Sequence, residues 1–153
     1  VVRVAPEDVA GAVAKMITGR GKRRMVIPSG LPAAWLSPEI EFVVDEGMSA
    51  AELDAFDGVM TGSTVAIAET GTVVLQNAAG QGRRAITLVP DYQLCVVHAG
   101  DVVETVPEAM ERLRTTSSLA TTFFSGPSAT ADIEMTRIKG VHGPRHLDVV
   151  LVT

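Results

Sequence analysis

Residues 6–27 read PEDVAGAVAKMITGRGKRRMVI and place a helix before a strand. Apolar residues recur at helical spacing over residues 9–17, and two acids suit the first turn of that helix. Glycines at 19 and 21 end the helix, and residues 25–27 form a short apolar strand. A helix that leads into an apolar strand is typical of an α/β sheet.

The same alternation recurs towards the end of the chain, whereas the middle contains consecutive apolar runs joined by short turns. The sequence therefore predicts an α/β fold: an open, mostly parallel sheet with helices on both faces and an antiparallel hairpin insertion. The further predicted helices cover residues 31–36, 49–56 and 106–114, and the further predicted strands cover residues 40–44, 65–68, 73–75, 86–89, 94–97, 121–124 and 147–152.

Composition limits the functions open to this chain. Its 153 residues fit one domain, residues 1–153, and its net charge of −5 argues against nucleic-acid binding. Cys95 is the only cysteine, so this chain cannot form an internal disulfide or hold a four-thiolate iron–sulfur cluster. We expect a chain that binds no cofactor or metal itself.

We also expect a cytoplasmic protein without a membrane span. No run of about 18 apolar residues and no signal-peptide pattern occurs. The chain starts at Val1 and not at Met, so we expect that part of the natural N-terminus is missing.

Residues 80–85, GQGRRA, match the letters of a dinucleotide-binding fingerprint. That fingerprint needs a helix directly after the glycines, because the helix N-terminus receives the pyrophosphate. The apolar run at 86–89 predicts a strand instead, so we interpret residues 80–85 as a hairpin tip and not as a nucleotide site.

A first candidate site follows the predicted strand 65–68, where a carboxylate, hydroxyls and a glycine occur together. Gly71 can adopt a positive φ and lets a ligand approach the backbone. At the carboxyl end of a strand, such a loop would project into a ligand crevice. The alternative is a tight hairpin turn with Glu69 in solvent. The candidate residues are Glu69, Thr70, Gly71 and Thr72.

A second candidate follows the predicted strand 121–124. Backbone N–H groups and hydroxyls in such a junction can bind a phosphate or carboxylate. The alternative is that Ser128 caps a structural helix. Asp132 and Glu134 lie two residues apart and make a weak catalytic pair. The candidate ligand-binding residues are Ser125, Gly126, Ser128, Thr130 and Asp132.

A third candidate is the loop before the last strand, where His142 offers a titratable group and Arg145 a bidentate clamp for an anion. Gly143 is the backbone candidate, and a structural or solvated histidine is the alternative. A metal held by His142 with Asp132 or Glu134 is a further alternative, but no known spacing of metal ligands supports it. A Ser128–His142–Asp132 triad lacks a nucleophile elbow.

Four segments, in this order, closely resemble the LutC/YkgG family of lactate utilization proteins, which carry a LUD domain. They are residues 67–72 (IAETGT), 88–91 (LVPD), 126–134 (GPSATADIE) and 140–144 (GVHGP). The resemblance covers nearly the whole chain, although part of the family's N-terminal helical region is lacking. It implies a fold like that of ribose-5-phosphate isomerase and the CoA transferases (NagB/RpiA/CoA transferase-like).

The resemblance also implies a place in a three-subunit system that oxidises L-lactate to pyruvate. This chain would be the non-redox accessory subunit, which binds a small carboxylate or phosphate or supports assembly. Its partners would be two cysteine-rich subunits that carry the iron–sulfur clusters. Two alternatives remain: an acyl- or CoA-transferase-like enzyme with Glu69 as nucleophile, and a purely structural partner.

Overall fold

The computed structural model describes residues 1–127, 129–130, 138–139 and 143–153. Its α-helices are α1 Val9–Gly19, α2 Ala50–Asp54, α3 Arg84–Leu88 and α4 Val106–Leu113. Its strands are β1 Val2–Val4, β2 Arg24–Ile27, β3 Glu41–Val44, β4 Gly58–Thr61, β5 Val65–Ile67, β6 Thr72–Gln76, β7 Tyr92–His98, β8 Val102–Val103, β9 Thr121–Phe124, β10 Ala129–Thr130, β11 Ile138–Lys139 and β12 His146–Val152.

A six-stranded parallel sheet is the centre of the fold, with the order β1-β12-β7-β4-β2-β3. Every neighbouring pair in it is parallel. Its central strand β7 is buried from Tyr92 to Val97, as expected for a strand covered on both faces. The predicted α/β fold with a mostly parallel sheet is therefore confirmed.

Helices cover both faces of this sheet. The buried side of α1 packs on one face, where Met25, Ile27 and Met60 point. Leu53 of α2 and Ile86 of α3 pack on the other face. Ser49 caps α2 through a capping box with Glu52, which matches the capping pattern in the sequence. In the described part of the chain, no helix has the length and apolar character needed to cross a bilayer.

The predicted hairpin insertion forms a sheet of its own, with the order β8-β5-β6-β9. β5 and β6 pair antiparallel through the turn at residues 68–71, and β9 extends the sheet along β6. This second sheet packs against the first through a shared apolar cluster. The buried members of that cluster are Val73, Leu75, Cys95, Val97 and Phe124.

The predicted strand 86–89 is wrong, because α3 occupies residues 84–88. Apolar periodicity over so short a run cannot separate a buried strand from a buried helical turn. The predicted hairpin tip at residues 80–85 is likewise wrong, since this segment leads into α3. Gly82 itself packs closely on the protein, since a Cβ there would lie 2.6 Å from Ile86 and 2.8 Å from Pro28. This packing accounts for the glycine without a nucleotide.

Candidate ligand-binding site

The carboxyl ends of β2, β4 and β7 lie together at one edge of the parallel sheet, and a crevice of about 150 Å³ opens there. In open α/β sheets this edge is where ligands usually bind. The crevice is formed by the loops that follow β2 and β4, by the last residues of β7 and by the turn before α3.

Close backbone contacts fix the walls of the crevice. The Gly80 N–H donates to the Ser29 carbonyl oxygen (2.8 Å), and the Gly62 N–H donates to the Gly80 carbonyl oxygen (2.7 Å). Gly30 has φ +87°, and a Cβ there would meet the Ala79 Cβ at 3.0 Å. Glycine is therefore required where the loop after β2 meets the turn before α3.

Two rings form one side of the crevice. Trp35 lies in a 3-10 turn after β2 and His98 is the last residue of β7; their ring centroids are 5.7 Å apart and tilted by 46°. His98 is exposed. It is the single titratable side chain among the described residues that line the crevice. That set contains no carboxylate that would repel an anion.

On the remaining sides the polar side chains are Ser63 and Gln81, which lie among apolar residues such as Leu31 and Val96. Ser63 Oγ donates to the Val96 carbonyl oxygen (3.3 Å). Gln81 Oε1 accepts hydrogen bonds from Thr64 Oγ1 (2.8 Å) and from the Gln76 N–H (2.7 Å), which fixes the orientation of its amide. The Gln81 Nε2 group donates to none of the described residues, so it can donate to a ligand.

An ion pair holds the turn before α3 in position. Arg83 contacts Asp45 through two hydrogen bonds of 2.6 and 2.8 Å and also donates to the Met48 carbonyl oxygen. The Asp45 side chain is 6% exposed. The guanidinium hydrogen bonds lower the pKa of the Asp45 carboxyl. This contact ties α3 to the loop between β3 and α2.

The structure brings two of the three predicted loops together, at the tip of the β5–β6 hairpin. Thr72 Oγ1 lies 2.7 Å from Thr70 Oγ1 and 2.6 Å from Ser125 Oγ. Gly71 adopts the predicted positive φ, at +62°. Gly126 follows directly on Ser125. We call Thr70, Thr72 and Ser125 the hydroxyl cluster.

The hydroxyl cluster is not part of the crevice. It lies at the Thr72 end of β6, while the crevice lies beyond the Gln76 end, four residues or roughly 13 Å along the strand. The expectation that residues 69–72 project into the crevice of the main sheet is therefore wrong, because β5 belongs to the second sheet. Glu69 is exposed in the hairpin turn, as in the alternative interpretation.

The described part of the third loop lies at the opposite, amino edge of the main sheet. Arg145 pairs with Asp91 (3.6 Å), and both side chains are 57% exposed. Gly143 precedes Arg145 on this loop, and β12, which follows the loop, begins beside the start of β7.

In the second candidate loop, Thr130 lies in β10, paired with Ile138. Ser128, Asp132 and His142 lie outside the described residues, so their roles stay predictions.

Comparison with known proteins gives the family. A profile described as "LUD domain" matches residues 34–152. The chain belongs to the LUD domain family. This LUD domain is 45% identical over 152 residues to "Lactate utilization protein C" of Deinococcus radiodurans, covering 97% of this chain and 71% of that protein. The predicted family resemblance is confirmed.

Other relatives match this LUD domain over shorter regions. "Lactate utilization protein C" of Shouchella clausii is 33% identical over 65% of this chain and 45% of its own length. "Uncharacterized protein YkgG" of Escherichia coli is 36% identical over 51% of this chain and 36% of its own length. The match thus covers less than half of these two relatives.

A solved structure confirms the fold of this LUD domain. The crystal structure of a DUF162 family protein from Deinococcus radiodurans superposes with a TM-score of 0.83 and 37% identity. It covers 99% of this chain and 87% of that one.

Sequence reasoning missed the crevice residues of this LUD domain, among them Ser63, Gln81 and His98. A signal was present, because Thr61-Gly62-Ser63-Thr64 has the small and hydroxyl residues of a strand-end loop. The strand before it, β4, begins with glycine and is only four residues long, so its pattern was too weak to recognise. Among the described residues, no group of three His, Cys, Asp or Glu side chains could hold a metal ion.

Proposed function

We propose that this LUD domain acts in L-lactate utilization as a non-redox accessory subunit that binds a small carboxylate in the crevice. The observation that carries the role is the 45% identity to a lactate utilization protein C over 97% of this chain. Identity of this extent, spread over almost every element, supports a shared role more strongly than fold alone does.

The crevice supports a small carboxylate as ligand. Its volume of about 150 Å³ is enough for several water molecules. It therefore suits a three-carbon acid such as lactate or pyruvate better than a nucleotide. The Gln81 amide and His98 offer hydrogen bonds to carboxylate oxygens, and the Ser63 hydroxyl offers one when it rotates away from the Val96 carbonyl oxygen.

The single thiol supports the non-redox role. Cys95 is fully buried between the two sheets, within hydrogen-bonding distance of Gln93 Nε2 (3.1 Å). Burial raises the pKa of this thiol, which disfavours the reactive thiolate. In our proposal, electrons from lactate pass through two cysteine-rich iron–sulfur partners in the reducing cytoplasm.

Genetics tests the role. In a bacterium that carries this gene, deletion should abolish growth on L-lactate and leave growth on glucose unchanged. Affinity purification of the tagged chain should recover two iron–sulfur proteins. Normal growth of the deletion strain on L-lactate as the sole carbon source would contradict the proposal.

Calorimetry tests the crevice separately. The variants Ser63→Ala and His98→Asn should each weaken L-lactate or pyruvate binding about tenfold, the equivalent of one charge-assisted hydrogen bond. Ser118→Ala and His146→Asn are matched controls, because both residues are exposed and lie outside the crevice. Equal affinity in all four variants would remove the crevice from the proposal and leave the genetic result intact.

A second candidate function is supported by the exposed Glu69 carboxylate beside the hydroxyl cluster. In a CoA transferase-like reaction this carboxylate would attack a thioester carbonyl, forming an acyl anhydride and releasing the CoA thiolate. Incubation with a panel of acyl-CoAs should then leave an acyl mass adduct on the wild-type chain and none on Glu69→Gln. An unmodified wild-type chain would end this alternative.

A further inference from the structure

A second polar cavity, of about 180 Å³, lies between α3 and the neighbouring ends of β6 and β9. Three walls surround it. Arg84 and Thr87 line it from α3, Asn77 from the residue after β6, and Thr122 from β9. Gln81 lines both this cavity and the crevice, so the two are neighbours.

Side chains that can donate hydrogen bonds line this cavity. Arg84 Nη1 makes one long contact, 3.4 Å to Thr122 Oγ1, and the guanidinium forms no ion pair with the described residues. The Asn77 backbone N–H donates to the Ala120 carbonyl oxygen, whereas its side-chain amide contacts none of the described polar groups. The Thr122 hydroxyl accepts from Arg84 and keeps its own proton to donate.

The charge that lines the cavity is positive. Arg84 is the only charged residue among the described residues that line it, and no Asp or Glu lies in that set. An arginine fork binds phosphate and carboxylate oxygens well. Donors here come from three walls, which suits the tetrahedral array of phosphate oxygens better than the two coplanar oxygens of a carboxylate.

We propose that this cavity binds a phosphate group. Arg84 supplies the charge, and Asn77, Gln81 and Thr122 supply neutral hydrogen bonds from the surrounding walls. The site shares only Gln81 with the carboxylate crevice, and its charge and its other donors come from different residues, so the proposal does not depend on the proposed function.

Titration calorimetry with inorganic phosphate on the full chain tests this site. Arg84→Gln should weaken phosphate binding at least tenfold, since it removes the only charged contact. Thr122→Val should weaken it about threefold, the loss of one neutral hydrogen bond. Arg23→Gln is the matched control: this arginine is exposed and lies outside the cavity, and its substitution alters the net charge equally.

Methyl phosphate, tested in parallel, separates free phosphate from a phosphomonoester as the source of the group. Binding of both assigns a phosphomonoester, and binding of inorganic phosphate alone assigns the free ion; either result supports the site. The proposal is overturned if the wild type binds neither at about 10 mM, or if Arg84→Gln and Arg23→Gln bind phosphate equally. Acetate that binds as tightly as phosphate and depends equally on Arg84 would also overturn it.

Discussion

Gly58 begins β4 directly against Tyr92 of β7. A Cβ at Gly58 would lie 2.7 Å from the Tyr92 carbonyl oxygen and 2.8 Å from its ring. We predict that Gly58→Ala lowers the free energy of unfolding by about 1–3 kcal/mol, because backbone and a buried ring must move apart. Urea denaturation measures the change.

Gly11 is the control for this substitution. It lies within α1, and a Cβ there would meet nothing within 4 Å. Gly11→Ala should therefore raise the free energy of unfolding by about 0.5–1 kcal/mol, the helix preference of alanine over glycine. Similar destabilisation by both substitutions would mean that the contact with Tyr92 is not the cause.

At the scale of elements, the Arg83–Asp45 pair joins α3 to the loop between β3 and α2 and so supports one wall of the crevice. The pKa of Asp45 is lowered from 3.8 in the folded protein, chiefly by the Arg83 hydrogen bonds. Such a group adds stability above its unfolded pKa and loses it as the pH falls through the folded pKa. We predict that the loss of stability below about pH 4 is less steep in Asp45→Asn than in the wild type.

The same variant should be destabilised at pH 7 by about 1–3 kcal/mol, the worth of hydrogen bonds to a charged group. Glu41→Gln is the control, since the Arg24–Glu41 pair has side chains that are 45% and 60% exposed. Its effect should stay below about 1 kcal/mol. Chemical denaturation across a pH series measures both, and parallel curves for wild type and Asp45→Asn would contradict the assignment.

At the scale of the whole molecule, the two sheets meet in an apolar layer that contains Cys95 and Leu75. We predict that the Cys95 thiol resists alkylation in the native protein and reacts only when the sheets separate. Leu75→Ala should lower the free energy of unfolding by about 2–5 kcal/mol, because it leaves a cavity in this layer. Alkylation of Cys95 should become faster by the factor that corresponds to this loss of stability. Mass spectrometry follows the alkylation.

Met110→Ala is the control for this layer, because Met110 is 53% exposed on α4 and lies outside the cluster. It should change stability by no more than about 0.5 kcal/mol and leave the labelling rate unchanged. Rapid labelling of the folded wild type would contradict the burial of Cys95.

Elements with a clear period of apolar residues could be predicted from the sequence. The α1 helix, the β5–β6 hairpin and the apolar strands β7 and β12 each show their pattern within one stretch of chain. Two short elements were missed: the five-residue α3 and the four-residue β4 hold too few residues to establish a period, and no capping side chain marks the start of α3. Family membership followed from four motifs, whose residues the sequence displays directly.

Local sequence therefore determined the fold class and the family, whereas the contact of Thr72 with Ser125 joins residues far apart in the chain and comes from the pairing of β6 with β9. Only the tertiary structure decided where the crevice lies. Its walls come from segments far apart in the chain, and they meet because the strand order places β2, β4 and β7 side by side. That order depends on the crossover connections and on the burial of both sheet faces, which are long-range packing effects that no local pattern records.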